Sequence, residues 1–126
     1  MSSIFALGID IGGTNFRMGV VGGDGRIHAF TRSSSNIFSS GNAVTVLRDE
    51  IKKYLSQSGF DGRIKAAAAG IPASVSKDKK TVYSSPNLRG FDGAELGKLE
   101  KELGFPFFVD RDVNFCLLYT SPSPRD

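Results

Sequence analysis

Two adjacent glycines, Gly12 and Gly13, interrupt the best strand candidate in the chain. The stretch GIDIGGTNFRMGV (8–20) is apolar before the pair and apolar after it, with Asp10 just ahead and Thr14, Asn15 and Arg17 just behind. Glycine weakens a strand interior but suits a tight turn or a positive φ. The pair therefore predicts two strands, 4–10 and 16–21, joined by a turn whose crown carries no side chains. Backbone N–H groups of such a crown can point at an anion. Thr14 adds a hydroxyl donor and Arg17 a cation, while Asp10 at the strand end suits a magnesium ion held directly or through water. No Gly-Lys-Ser/Thr follows, so this is not a Walker loop. A strand rather than a helix follows the turn, so it is not a dinucleotide fingerprint. On the residues alone, a plain Gly-Gly hairpin remains the alternative.

The rest of the chain reads as α/β. GGDGR (22–26) supplies a second hairpin turn and RIHAFTR (26–32) a third strand, giving an antiparallel three-strand meander. SSSNIFSSGN (33–42) reads as a polar loop. Val44, Leu47, Ile51, Tyr54 and Leu55 recur at helical spacing over 43–58, with Asn42 as N-cap and Gly59 as C-terminal stop. RIKAAAAGIP (63–72) reads as a buried strand ending at Gly70, and 74–91 as an irregular or hairpin segment. A helix is expected over 93–104 with Leu96, Leu99 and Leu103 inward, then a strand over 105–110. The order βββαβαβ places functional loops at strand ends.

Composition excludes several classes. Of 126 residues, 40% are hydrophobic and 23% charged, which argues against disorder. No apolar run approaches the roughly 18 residues of a membrane span, and the N-terminus lacks the basic start of a signal peptide. A soluble, cytoplasmic protein without a membrane partner is expected. The net charge of +3 is scattered apart from KDKK (77–80), read as a solvated loop rather than a nucleic-acid patch. A single cysteine gives neither a disulfide framework nor a cysteine metal cluster, and the single histidine, His28, reads as a strand residue.

Four segments in order resemble the ROK family (repressors, open reading frames and sugar kinases) of the actin-like ATPase superfamily. GIDIGGTNFRMGVV (8–21) is similar to its first phosphate motif, and AGIPASVS (69–76) to its Gly-x-Pro-Gly loop, with Ala73 where the second glycine is usual. YSSPNLRGFDGAELGKLEKELGFPFFVD (83–110) is similar to its Ser-Pro-Asn-Leu segment, helix and next strand. RDVN (111–114) stands where the family has Asn-Asp-Ala/Val-Asn. The resemblance implies the ribonuclease H-like N-terminal lobe of a kinase that uses ATP and Mg2+ to phosphorylate a hexose or N-acetylhexosamine. It implies phosphate and magnesium contacts at Asp10, Gly12, Gly13, Thr14 and Arg17, and sugar contacts at Asn87, Arg111 and the Ala73 loop. Asp112 would be the general base. Phosphoryl transfer needs one acceptor for the hydroxyl proton, and a carboxylate at a strand end meets that need. Arg111 replaces an asparagine that usually bonds the sugar. It is longer, charged and donor-only, and is expected to alter sugar preference or to pair with Asp112.

The alternatives within the family are a sugar-sensing repressor and a non-catalytic sugar-binding relative. The phosphate motif begins within ten residues of Met1, which favours the kinase over a repressor with a leading helix-turn-helix domain. CLLYTSPSPRD (116–126) resembles one reading frame of a transposon-end sequencing adapter. On that reading residues 1–115 are an incomplete N-terminal lobe, Cys116 is not native, and the family's zinc motif, adenosine-binding segments and further sugar contacts lie beyond it. Full-length members are expected to be homo-oligomers.

Overall fold

The computed structural model describes residues 4–40, 42–84 and 88–110. Asn87, Arg111 and Asp112, together with the 116–126 segment, lie outside the described residues. β1 (Phe5–Ile11), β2 (Asn15–Gly22) and β3 (Ile27–Ser34) form the expected antiparallel meander. α1 (Ala43–Ser58) follows, then β4 (Ile64–Gly70), a short hairpin of β5 (Ser74–Val75) and β6 (Val82–Ser84), α2 (Leu99–Leu103) and β7 (Phe107–Asp110). The main sheet runs β3-β2-β1-β4-β7, with β4 parallel to β1 and β7 parallel to β4. Each parallel step needs a crossover, supplied first by α1 and then by the hairpin and α2.

Side-chain alternation sorts the strands into two faces. Leu7, Ile9 and Ile11 on β1, Phe16, Met18 and Val20 on β2, Ala67 and Ala69 on β4, and Phe107 and Val109 on β7 are all buried on one face. They share a core with Leu47, Ile51, Tyr54 and Leu55 of α1. The caps of α1 are those expected: the Asn42 side chain accepts from Thr45 N–H at 3.1 Å, and Gly59, at φ 82°, donates to the Leu55 carbonyl.

Three segments depart from the sequence reading. The 33–42 stretch is not a polar loop: β3 extends to Ser34, and Ser35–Ser40 forms a 3-10 turn. Phe38 in that turn is buried between Phe16 and Phe91, with ring centroids 4.9 and 5.0 Å away, so two apolar residues outweigh the serines around them. The 93–104 helix is shorter, a 3-10 turn at Leu96–Lys98 leading into α2. Gly97 explains this, because its N–H donates to the Lys80 carbonyl and a Cβ there would lie 3.1 Å from the Lys80 side chain. That close approach draws the backbone out of α-helical pairing. The strand expected over 105–110 begins only at Phe107, because Pro106 has no N–H and instead offers its carbonyl to Ala67 N–H.

KDKK is likewise more than a solvated run. Lys79 takes φ 64° and its carbonyl accepts from Val109 N–H on the edge strand. Lys80 bonds Glu100 and lies 4.1 Å over the Phe108 ring. Glu100 in turn accepts from Phe107 N–H at 3.0 Å, so the turn is buckled onto β7 through two lysines.

Candidate phosphate and sugar site

The Gly-Gly turn is closed by one backbone bond, Gly12 N–H to the Asn15 carbonyl at 2.8 Å. Neither glycine takes a positive φ. For Gly12 the value is steric, since a Cβ there would stand 3.1 Å from the Asn15 carbonyl oxygen; Gly13 and Thr14 at the crown are exposed. Ser35 then fixes the turn from below. Its hydroxyl donates to the Gly12 carbonyl at 2.6 Å and its N–H to the Thr14 carbonyl at 2.9 Å. Ser35 is one of two buried polar residues among those described. With two carbonyls of the turn held from behind, the crown can present the N–H groups of Gly13 and Thr14 outward. Among the described residues no protein acceptor takes either one. Exposed turn N–H groups without a protein acceptor are the kind that can take an anion, and the turn is a candidate anion cradle.

Sequence reasoning missed Ser35 because it read the serine run as loop. The signal available was the apolar pair Ile37–Phe38: Phe38 is buried and Ile37 partly so, which brings the preceding serines to the sheet.

Asp10 and Arg17 are direct partners in the β1–β2 register, so their side chains rise on the same face, opposite the core. Arg17 Nη1 lies 2.9 Å from Asp10 Oδ2, with both side chains a little over one-third exposed. The two residues that the resemblance assigns to magnesium and to phosphate thus hold each other. The register continues this row across the sheet: Asp10 pairs with Gly70, and Gly70 with Asp110. Gly70 has no side chain, which leaves a notch between two carboxylates whose backbones stand two strand spacings, roughly 10 Å, apart. Asp110 has its own cation, Lys79 Nζ at 3.2 Å. Its carbonyl accepts from Ile71 N–H at 2.9 Å, tying the start of the 71–73 loop to the end of β7. Ala73 is buried in the core and its N–H donates to the Ile71 carbonyl. Its methyl faces protein, so this residue can meet a ligand only through its backbone.

The row therefore gathers Asp10, Gly12, Gly13, Thr14, Arg17 and the Ala73 loop at one edge, the carboxyl ends of β1, β4 and β7. β7 ends at Asp110 on that same side. Among the described residues there is no group of three or more metal-ligating side chains. A magnesium ion needs none, because it keeps several waters and is held through one or two carboxylates plus phosphate oxygens. Asp10 beside an exposed anion cradle fits that requirement. No helix of the described residues is long and apolar enough to cross a membrane.

A mixed five-stranded sheet that opens with an antiparallel glycine hairpin and closes with two parallel strands is a lobe of the actin-like ATPase fold. The ROK family profile matches residues 6–119, and the chain belongs to that family. It is 32% identical over 110 residues to the beta-glucoside kinase of Listeria innocua, covering 86% of this chain and 35% of that protein. It superposes at a TM-score of 0.69 and 26% identity on the ROK family glucokinase of Streptomyces griseus in complex with glucose and AMPPNP, covering 87% of this chain and 34% of that one. A ROK family transcriptional regulator, a homologue of the E. coli Mlc protein, shares the fold at a TM-score of 0.73 and 18% identity, covering 86% of this chain and 28% of that one. The chain thus spans about a third of the length of the relatives it matches.

Proposed function

We propose that this chain is the N-terminal lobe of a longer ROK sugar kinase that transfers a phosphoryl group from ATP to a hydroxyl of a hexose or N-acetylhexosamine. The observation that carries the reading is the cradle itself: an exposed Gly13–Thr14 crown braced by Ser35, with Asp10 and Arg17 in register beside it. The glucokinase that shares this fold holds a sugar and an ATP analogue, which supports the same pairing of ligands here. Fold alone would not, since a transcriptional regulator has it too.

In the proposed reaction the Gly13 and Thr14 amides and the Thr14 hydroxyl would hold phosphate oxygens, and Asp10 would hold Mg2+ directly or through water. Bound Mg2+·ATP supplies the phosphoryl group and neutralises its charge. Asn87 and Arg111 orient the sugar, and the carboxylate of Asp112 takes the proton from the attacking hydroxyl. The whole protein is proposed to work in the cytoplasm on a small-molecule sugar, as a homo-oligomer. Residues 116–126 are proposed to be non-native, with zinc, if used, bound in the part of the family fold beyond them.

The test is to recover the uninterrupted reading frame at the source locus and assay the full-length product. ADP release should require ATP, Mg2+ and one sugar from a panel of glucose, fructose, N-acetylglucosamine, N-acetylmannosamine and a β-glucoside. A full-length protein that binds a sugar but releases no ADP on any of them would replace the kinase by a sugar-binding regulator. Genomic reads that carry CLLYTSPSPRD unbroken would show the tail to be native.

A further inference from the structure

Arg17 and Asp10 are the one feature of the site that the assigned roles leave unexplained. A phosphate role for Arg17 and a metal role for Asp10 do not by themselves require the two side chains to bond each other. Yet they face each other across the hairpin at 2.9 Å, in a register fixed by the turn. We propose that Arg17 is a placeholder cation: it occupies the Asp10 carboxylate until a divalent ion displaces it, so that Asp10 is masked against bare metal ions. This inference rests on reading the loop as a metal and phosphate site.

Three observations support it. The pair is part-exposed, and ion pairs of that kind are worth little, so the exchange is cheap. Asp10 is an isolated carboxylate in the row, with Gly70 next to it and Asp110 beyond, already paired to Lys79. A guanidinium on it therefore offsets the negative charge of the Asp10 carboxylate. The crown N–H groups of Gly13 and Thr14 suit an incoming anion, and that anion in turn gives the displaced guanidinium a new acceptor. Arg17 acts through Asp10 in this scheme and is a positioning residue rather than a catalytic one.

The test uses Mn2+ alone, added as chloride to the 15N-labelled chain without nucleotide or sugar. Paramagnetic broadening of the Gly12, Gly13 and Thr14 amide signals reports metal at Asp10. The Arg17→Ala chain should reach half-broadening at a Mn2+ concentration at least about fivefold lower than the parent, because a unit positive charge a few ångströms from the metal position has been removed. Asp10→Asn, alone or combined with Arg17→Ala, should abolish the loop-specific broadening. Arg17→Gln, which keeps length and hydrogen bonding without charge, gives the same reading if Arg17→Ala loses its folded spectrum. A half-broadening concentration within twofold of the parent in the charge-free variants overturns the proposal, as does broadening that survives Asp10→Asn. Neither result depends on turnover, so the sugar-kinase reading stands or falls separately.

Discussion

Tyr54 carries the most informative test of how the lobe is held together. Its ring lies in the core on α1, and its hydroxyl donates to the carbonyl of Ala29 on β3 at 2.8 Å. Ala29 is a bulge residue at φ 56°, where the β2–β3 register slips between Met18 and Val20. The hydroxyl thus pins the bulge of an edge strand onto the helix. Tyr54→Phe keeps the ring, so no cavity opens and the loss is that of one neutral hydrogen bond. Ala29 is exposed, so water can take over the freed carbonyl, and the cost should be about 1 kcal/mol. Tyr54→Ala would instead cost about 3–5 kcal/mol through the cavity. In urea unfolding followed by circular dichroism, a slope near 2 kcal/mol/M turns about 1 kcal/mol into a midpoint shift of about 0.5 M. Burial also pushes the Tyr54 hydroxyl up to about 12 from its ordinary value of 10.0. The unfolded chain therefore gives up this proton first as pH rises, and its contribution to stability, full below pH 10, is lost between pH 10 and about 12. Tyr54→Phe should lack that part of the alkaline loss. Parent-like midpoints at pH 7 together with an unchanged alkaline limb would refute the pinned-bulge account.

The remaining expectations follow from single contacts. Ala29→Gly relieves a left-handed backbone worth about 1–2 kcal/mol but adds unfolded-state freedom, so the unfolding midpoint should rise by the equivalent of about 0.5 kcal/mol; a fall would contradict the bulge geometry. Ser35→Ala removes the hydroxyl under the Gly12 carbonyl and should cost about 1–3 kcal/mol in urea unfolding. It should also move the Gly13 and Thr14 amide resonances, which a distant substitution would leave in place. Glu100 is held below its ordinary carboxyl value of 4.5, first by the Lys80 hydrogen bond and then by Phe107 N–H. Its contribution is therefore present above pH 4.5 and lost as pH falls through the lower folded value. The stability gap between the parent and Lys80→Met should accordingly narrow in acid, measured by unfolding midpoints at pH 3 to 7.

What the sequence makes legible here is local. Helix α1 could be read with both caps because Asn42, the apolar period and Gly59 act within one segment. The glycine hairpin and its two strands could be read for the same reason. The Asp10–Arg17 bond was within reach too, since a turn over Gly12–Asn15 sets Asp10 opposite Arg17. Residue types alone do not single it out, because a carboxylate and a guanidinium beside a glycine turn each also suit a ligand. The brace from Ser35 and the buckle from Lys79 and Lys80 depend on packing between segments distant in the chain, 23 residues apart for Ser35 and Gly12. No local period encodes such contacts. The charged run 77–80 shows the same limit: its composition suggests solvent, yet its backbone is bonded to Val109 and Gly97.

The proposed sugar-kinase reaction depends most directly on Asp112 as the base that takes the proton of the sugar hydroxyl. The direct measurement is kcat for ADP release alongside the equilibrium Kd for the best sugar, in the full-length protein and its Asp112→Asn variant. The amide keeps the shape but cannot accept the proton, so kcat should fall by at least about 10²-fold while Kd changes little. A variant that turns over at nearly the parental rate would contradict the account and reduce Asp112 to a structural residue.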